Sequence, residues 1–187
     1  MNILGINGSG RPFGNNYNLL NTCLESFNEN DNTTEIIQLS DLQIQGCKSC
    51  YNCKSNNNSN QCIIKDDMTL LSKKVLESDL LIISAPIYMW QISAQTKLFM
   101  ERLYPLYHFD KPSVLNGKKL ILFFTQATPD KKMFDAYYEH VKASMIFLGF
   151  NVIDMVVISG IRSIDDYKNH PDVLNHITNF NDKDWNL

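Results

Sequence analysis

The chain of 187 residues is long enough to bury a sizeable core and short enough for one domain. Apolar residues make up 44% and charged residues 20%, a globular balance, and the net charge of −3 lacks the basic face that nucleic acid requires. No run reaches membrane-spanning length, and the start Met1–Asn7 has neither the basic region nor the long apolar stretch of a signal peptide, so the cytoplasm is expected and no membrane partner.

Short apolar runs alternate with amphipathic stretches. Asn2–Asn7 reads as a first strand ending in Gly8-Ser9-Gly10, and Tyr17, Leu20, Leu24 and Phe27 then recur at helical spacing. Glu35–Leu39 is a second strand. Residues 46–65 form a polar, cysteine-bearing loop with no apolar period, and Asp66 or Asp67 is placed to cap a helix over Met68–Glu77. Asp79–Ser84 has the continuous apolar run of a fully buried strand, residues 85–90 read as a loop, and a helix follows over Ala94–Leu103. Lys118–Phe124 is a fourth strand, a helix carries Phe134, Tyr138, Val141, Met145 and Leu148, and Gly149 is its stop. Asn151–Ile158 is a fifth strand, and Pro171 opens a last helix over about residues 172–180.

Strands alternating with helices predict a doubly wound parallel sheet covered on both faces, a single α/β domain with one loop insertion at 46–65. Ligands of such sheets sit outside the carboxyl ends of the strands. Residues 8–16, 85–91 and 125–129 follow strand ends and are the candidate walls of one site.

Residues 8–16, Gly-Ser-Gly-Arg-Pro-Phe-Gly-Asn-Asn, link a strand to a helix whose N-terminus offers unpaired N–H groups and a positive dipole end, suited to a phosphate. Ser9 and Asn16 can donate, and Arg11 adds a charged fork. The loop fails as a Walker loop, because Gly14 is followed by Asn15. It fails as a dinucleotide fingerprint, because Gly14 comes one residue late and Gln38-Leu39-Ser40 stands where an acidic ribose ligand belongs. A mononucleotide phosphate is therefore preferred over a plain turn capped by Asn15 or Asn16.

Gly8-Ser9-Gly10-Arg11 with Gly14-Asn15-Asn16 resembles the G-S-P-R-x-x-G-N-T loop of the flavodoxin-like NAD(P)H-dependent FMN reductases, with Gly10 for Pro and Asn16 for Thr. Ser84–Trp90 resembles the family's S-P-V-Y-W loop, and Ser93–Lys97 with Glu101-Arg102 resembles the helix after it, so the likeness spans about residues 2–130. It implies a five-stranded sheet in the order 2-1-3-4-5, and FMN held by Ser9, Arg11, Asn15, Asn16 and Tyr17 at the phosphate. It also places Pro86, Ile87, Tyr88, Met89 and Trp90 at the flavin ring, and Thr125 and Gln126 as the third wall. NAD(P)H is then the cosubstrate, reducing a small-molecule acceptor such as a quinone, azo, nitro or flavin compound, and the chemistry belongs to the flavin rather than to a side-chain base. Members commonly form homodimers or homotetramers, and Leu103–Phe109 and Trp185 are candidates for that interface.

Lys97 and Arg102 read as a solvated helix face with Glu101, and the histidines His108, His140, His170 and His176 share no ligand spacing. Four of the five cysteines, Cys47, Cys50, Cys53 and Cys62, crowd into sixteen positions, whereas Cys23 reads as an inert core residue. The cluster resembles the compact motif of the iron–sulfur flavoproteins, with a longer final gap, and it leaves open a 4Fe-4S cluster, zinc, redox thiols or inert thiols. Competing functions follow from it: an electron carrier acting on a protein partner, as an iron–sulfur flavoprotein or flavodoxin, or a thiol-based sensor.

Overall fold

The computed structural model describes residues 1–27, 32–55 and 60–180. Its elements run β1 (Asn2–Asn7), α1 (Asn15–Glu25), β2 (Thr33–Gln38), α2 (Met68–Glu77), β3 (Leu80–Tyr88), β4 (Gln91–Ile92), α3 (Ala94–Arg102), β5 (Lys119–Thr125), α4 (Asp135–Leu148), β6 (Asn151–Ile158) and α5 (Pro171–Thr178). The five long strands pair in parallel in the order β2-β1-β3-β5-β6, which is the 2-1-3-4-5 order with β4 set aside as a short antiparallel addition to β3.

Alternating side chains of the central strands feed two separate cores. Leu81, Ile83 and Ala85 of β3 pack on one face with Leu71 and Val75 of α2, Phe99 of α3 and Met145 of α4. Leu80 and Ile82 pack on the other with Leu19, Leu20 and Cys23 of α1 and Ile177 of α5. Continuous burial explains why β3 and β5 are apolar on both faces. Cys23 is fully buried and burial pushes its thiol well up from the ordinary value, as an inert core residue requires. Gly149 closes α4 in the left-handed region at φ +111.

Two local expectations change. Residues 85–88 are not loop but the end of β3, which turns back through Met89 and Trp90 into β4. Both turn residues are left-handed, with φ 45 and φ 68, the geometry that matches a two-residue hairpin to strand twist. The usual Asn-Gly signal is missing, so sequence gave no cue. Asp66 and Asp67 cap α2 only in part: Asp66 accepts from the N–H of Met68 at 3.2 Å, but both carboxylates also reach back to the N–H groups of Gln45 and Gln43. They close the base of the cysteine loop.

Candidate functional site

The loop after β1 is held from below on all sides. Asn7 donates to Gln38 Oε1 and accepts from the N–H of Ser9, while Gln38 Nε2 donates to the Ser9 carbonyl at 2.6 Å. The Ser93 hydroxyl, N-cap of α3, donates to the Gly8 carbonyl at 2.5 Å, and Gly8 N–H donates to the Ser84 carbonyl. A Cβ at Gly8 would lie 1.9 Å from Thr96 Oγ1, so only glycine lets the loop approach α3 this closely. The loop ends at α1, whose first turn has no side-chain cap and no acidic residue. The N–H groups of that turn have no partner within the helix, and they lie at its positive end. Arg11 is exposed, lies against Gly14, and forms no ion pair among the described residues. Ser9 is buried, its Oγ accepting from the N–H of Arg11 and lying 3.5 Å from Tyr88 Oη.

Several predicted residues hold the site rather than face a ligand through their side chains. The Asn16 amide is buried, donating to Ser84 Oγ and accepting from Thr125 Oγ1, both at 2.9 Å. Asn15 donates to the Ser163 carbonyl and accepts from the N–H of Tyr167. With both side-chain amides engaged within the protein, the polar groups these two leave at the α1 N-terminus are their backbone N–H. Gln126 is buried as well: it takes a 2.6 Å bond from the Tyr138 hydroxyl and donates to the carbonyls of Thr128 and Asp130, shaping the turn after β5. Tyr17 stacks edge-on with exposed Phe13, 5.3 Å between centroids.

The β3–β4 hairpin supplies the aromatic wall. Tyr88, Met89 and Trp90 are 46%, 88% and 66% exposed, an unusual display for large side chains and one associated with ligand contact. Pro86 and Ile87 lie in the strand beneath. The hairpin is anchored by Trp90 edge-on to Phe134 and by the Ile92 N–H donating to the Tyr137 hydroxyl at 3.0 Å. Thus the start of α4 fixes the pose of the exposed tip.

A fourth strand-end segment, not singled out from sequence, joins these three. After β6, Gly160 and Ile161 donate to the carbonyls of Thr128 and Gln126, extending the sheet edge alongside the third wall. Asp166 Oδ2 then accepts from the N–H groups of Arg162 and Ser163 at 2.7 and 2.6 Å, which hold its carboxyl below the ordinary range. The Arg162 guanidinium donates through Nε to the Ala127 carbonyl at 3.0 Å. The rule that ligands gather at strand ends was the available signal.

The cysteine loop shares a cavity with Gln91 and Ile92 of β4, beneath the hairpin. Cys47 and Cys50 are exposed, Cys53 and Cys62 half-buried, and none is in a disulfide. Burial raises the Cys53 thiol, Lys54 opposes this, and Cys62, Cys47 and Cys50 push it further up, so all four sulfurs are electrostatic neighbours. Among the described residues no three His, Cys, Asp or Glu side chains converge as a preformed metal site. Lys54 docks the loop on the aromatic segment after α3, donating to the carbonyls of Tyr104 and Tyr107 and lying 4.1 Å from the Tyr104 ring centroid. A cavity of about 680 Å³ opens between the loop, α3 and α4, with Met100, Tyr137, Val141 and Phe147 in its walls.

Arg102 departs most from expectation. It is 2% exposed rather than solvated. Its guanidinium donates to both Asp66 oxygens (2.6 and 3.0 Å) and to the carbonyls of Gln45 and Ile64, so it ties both ends of the cysteine loop to α3. Burial alone would raise the Asp66 carboxyl, but the Arg102 guanidinium and the N–H groups of Gln45 and Met68 more than offset it, and the carboxyl lies below its usual range. Lys97 and Glu101 do form the exposed ion pair their spacing suggests.

This open α/β sheet, with an uncapped helix N-terminus and an aromatic hairpin at its carboxyl edge, is the architecture of a mononucleotide-binding protein. Residues 1–162 match the model of the NADPH-dependent FMN reductases, and the chain belongs to that family. It is 38% identical over 106 residues to an iron–sulfur flavoprotein of Methanocaldococcus jannaschii, covering 57% of this chain and 53% of that one. It is 28% identical over 131 residues to an iron–sulfur flavoprotein of Archaeoglobus fulgidus, covering 70% and 58%. The chain thus spans little more than half the length of these relatives. Its fold is that of an FMN-dependent NADH-azoreductase from Bacillus anthracis (TM-score 0.74, 15% identity, 97% of each chain). An NAD(P)H:quinone oxidoreductase from Methanothermobacter marburgensis shares it too (TM-score 0.72, 13% identity, 95% and 94%).

Proposed function

We propose that the chain is an FMN-dependent oxidoreductase that takes hydride from NAD(P)H and reduces a small quinone, azo, nitro or flavin acceptor. The observation that carries this is the pairing, at one sheet edge, of an uncapped α1 N-terminus flanked by Arg11 with the exposed Tyr88–Trp90 hairpin. Bound FMN supplies the two-electron redox chemistry. The chain's own residues bind and orient: first-turn N–H groups, Ser9 and Arg11 hold the phosphate, Tyr88 and Trp90 shield the ring, and the buried Asn16 and Gln126 amides fix the walls. None of the four histidines is part of these walls. The test is the absorption spectrum of protein purified without oxygen, before and after NADPH. Flavin bands that bleach support the reading, and a colourless protein that takes up no added FMN refutes it.

A second reading has its own observation. Both relatives named above are iron–sulfur flavoproteins, and here four free thiols cluster around Cys53. The donor set suits a four-iron cluster in kind, with Cys47, Cys50, Cys53 and Cys62 as its ligands. On this reading the protein passes electrons to a protein partner. Iron content near four per chain without activity on NADPH supports it. We place the protein in the cytoplasm as a homodimer or homotetramer: its cysteines are free, no described helix is long and apolar enough to cross a membrane, and Phe109 and Phe147 expose an aromatic face beside Tyr104 and Tyr107. Trp185, the other candidate contact, lies outside the described residues.

A further inference from the structure

We propose that Arg162 is a second cationic ligand for the phosphate of FMN, acting from the segment after β6 in addition to Arg11. The inference rests on the reading of the α1 N-terminus as the phosphate site, and it adds a residue outside the phosphate loop.

Placement carries the argument. The Asn15 amide, in the first turn of α1, bonds the Ser163 carbonyl at 2.8 Å and takes the N–H of Tyr167 at 3.1 Å, so the residue following Arg162 is tied directly to the turn whose N–H groups are uncapped. On its other side Arg162 is tied to the third wall, through Nε on the Ala127 carbonyl and through its neighbour Ile161 on the Gln126 carbonyl. Asp166 grips the N–H groups of Arg162 and Ser163, so the backbone of the turn is fixed as well. A long cationic side chain with its Nε anchored has lost much of the freedom it would otherwise lose on binding.

Charge points the same way. Arg162 is exposed, and among the described residues it forms no ion pair; nearby Asp165 pairs with Lys168 and Asp166 with backbone N–H. A phosphate monoester carries about −1.5 to −2 at neutral pH, whereas a helix N-terminus supplies roughly +0.5 and Arg11 one charge. Those two together leave up to about half a charge of the dianion unmatched, which a second guanidinium more than covers. Its two terminal amino groups, with Nε occupied, present the planar fork that phosphate oxygens accept.

The test compares FMN with riboflavin, which lacks the phosphate, by quenching of flavin fluorescence on the apoprotein. Arg162→Gln should weaken FMN roughly tenfold or more and leave riboflavin within about twofold, as loss of a charged hydrogen bond predicts. Arg162→Lys should fall between, because a point charge replaces an anchored fork. Equal FMN affinity in Arg162→Gln and wild type overturns the proposal, and a raised KM for NADPH in that case assigns the residue to the cosubstrate instead. Equal losses for FMN and riboflavin also overturn it, since they mark a wall residue without phosphate contact. If the wild-type protein binds neither flavin, the cofactor assignment itself fails, and this inference with it.

Discussion

Replacing Arg102 by alanine removes a guanidinium whose four hydrogen bonds join α3 to both ends of the cysteine loop. Its side chain is 1% exposed and that of Asp66 5%, so the carboxylate left behind loses its charged partner in an enclosed position and keeps the N–H groups of Gln45 and Met68. Breaking one side of such a pair costs about 3–5 kcal/mol, a large share of the ~5–15 kcal/mol that holds a domain together. At ~2–4 °C per kcal/mol for a chain of this size, the melting temperature should drop by roughly 6–20 °C. The pH dependence gives a second reading of the same bond. The folded Asp66 carboxyl lies below its unfolded value, so its stabilisation is complete above pH ~4 and is lost as pH falls through the folded value. The gap between wild type and Arg102→Ala in urea denaturation should therefore narrow below pH ~4. Asp66→Asn combined with Arg102→Met removes both charges and should recover much of the loss. A cost under ~1 kcal/mol at pH 7, with a gap indifferent to pH, would refute the buried pair as the clamp.

Other substitutions separate steric from chemical roles. Gly8→Ala should destabilise by about 1–3 kcal/mol in denaturant, since its Cβ would sit 1.9 Å from Thr96 Oγ1 and 3.1 Å from the Ser84 carbonyl, whereas Gly10→Ala, with nothing nearer than 3.9 Å, should stay within ~0.5 kcal/mol. Met89→Gly should raise the urea midpoint, by the equivalent of about 0.5–1 kcal/mol, because relief of a left-handed side chain at φ 45 exceeds the entropy that glycine adds to the unfolded chain; a lower midpoint counts against strain at the turn. In native apoprotein a thiol reagent should modify four cysteines, Cys47 and Cys50 fastest, and reach Cys23 only on unfolding. Five rapid modifications would show that the α1 face opens readily.

What could be read from the sequence depended on how local its cause was. The bounds of α2 and β6 match their predicted spans because periodicity and flanking residues within the segment set them. The phosphate loop was legible for the same reason: glycines, a serine and an arginine between a strand and a helix are a local pattern. Arg102 was not, because the Lys97–Glu101 pair just before it makes that helix look solvated, and only the cysteine loop folding back from residues 45 and 64–66 buries it. The hairpin at Met89-Trp90 was hidden because its left-handed residues are imposed by strand pairing rather than by their own preference. Asn15, Asn16 and Gln126 were singled out as polar groups at a strand edge, but which polar groups meet each other across 109 or 148 residues of chain is a tertiary fact.

The buried amide of Asn16 touches the end of β3 through Ser84 and the end of β5 through Thr125. Its consequence is evolutionary as much as structural. A side chain that satisfies a donor on one strand and an acceptor on another makes the three positions a single unit of inheritance, because changing any one leaves a polar atom stranded. Sequence drift in this lineage should therefore move positions 16, 84 and 125 together, as one compact, whereas a residue such as Gly10, with nothing nearer than 3.9 Å to an added Cβ, can change without a matching change elsewhere.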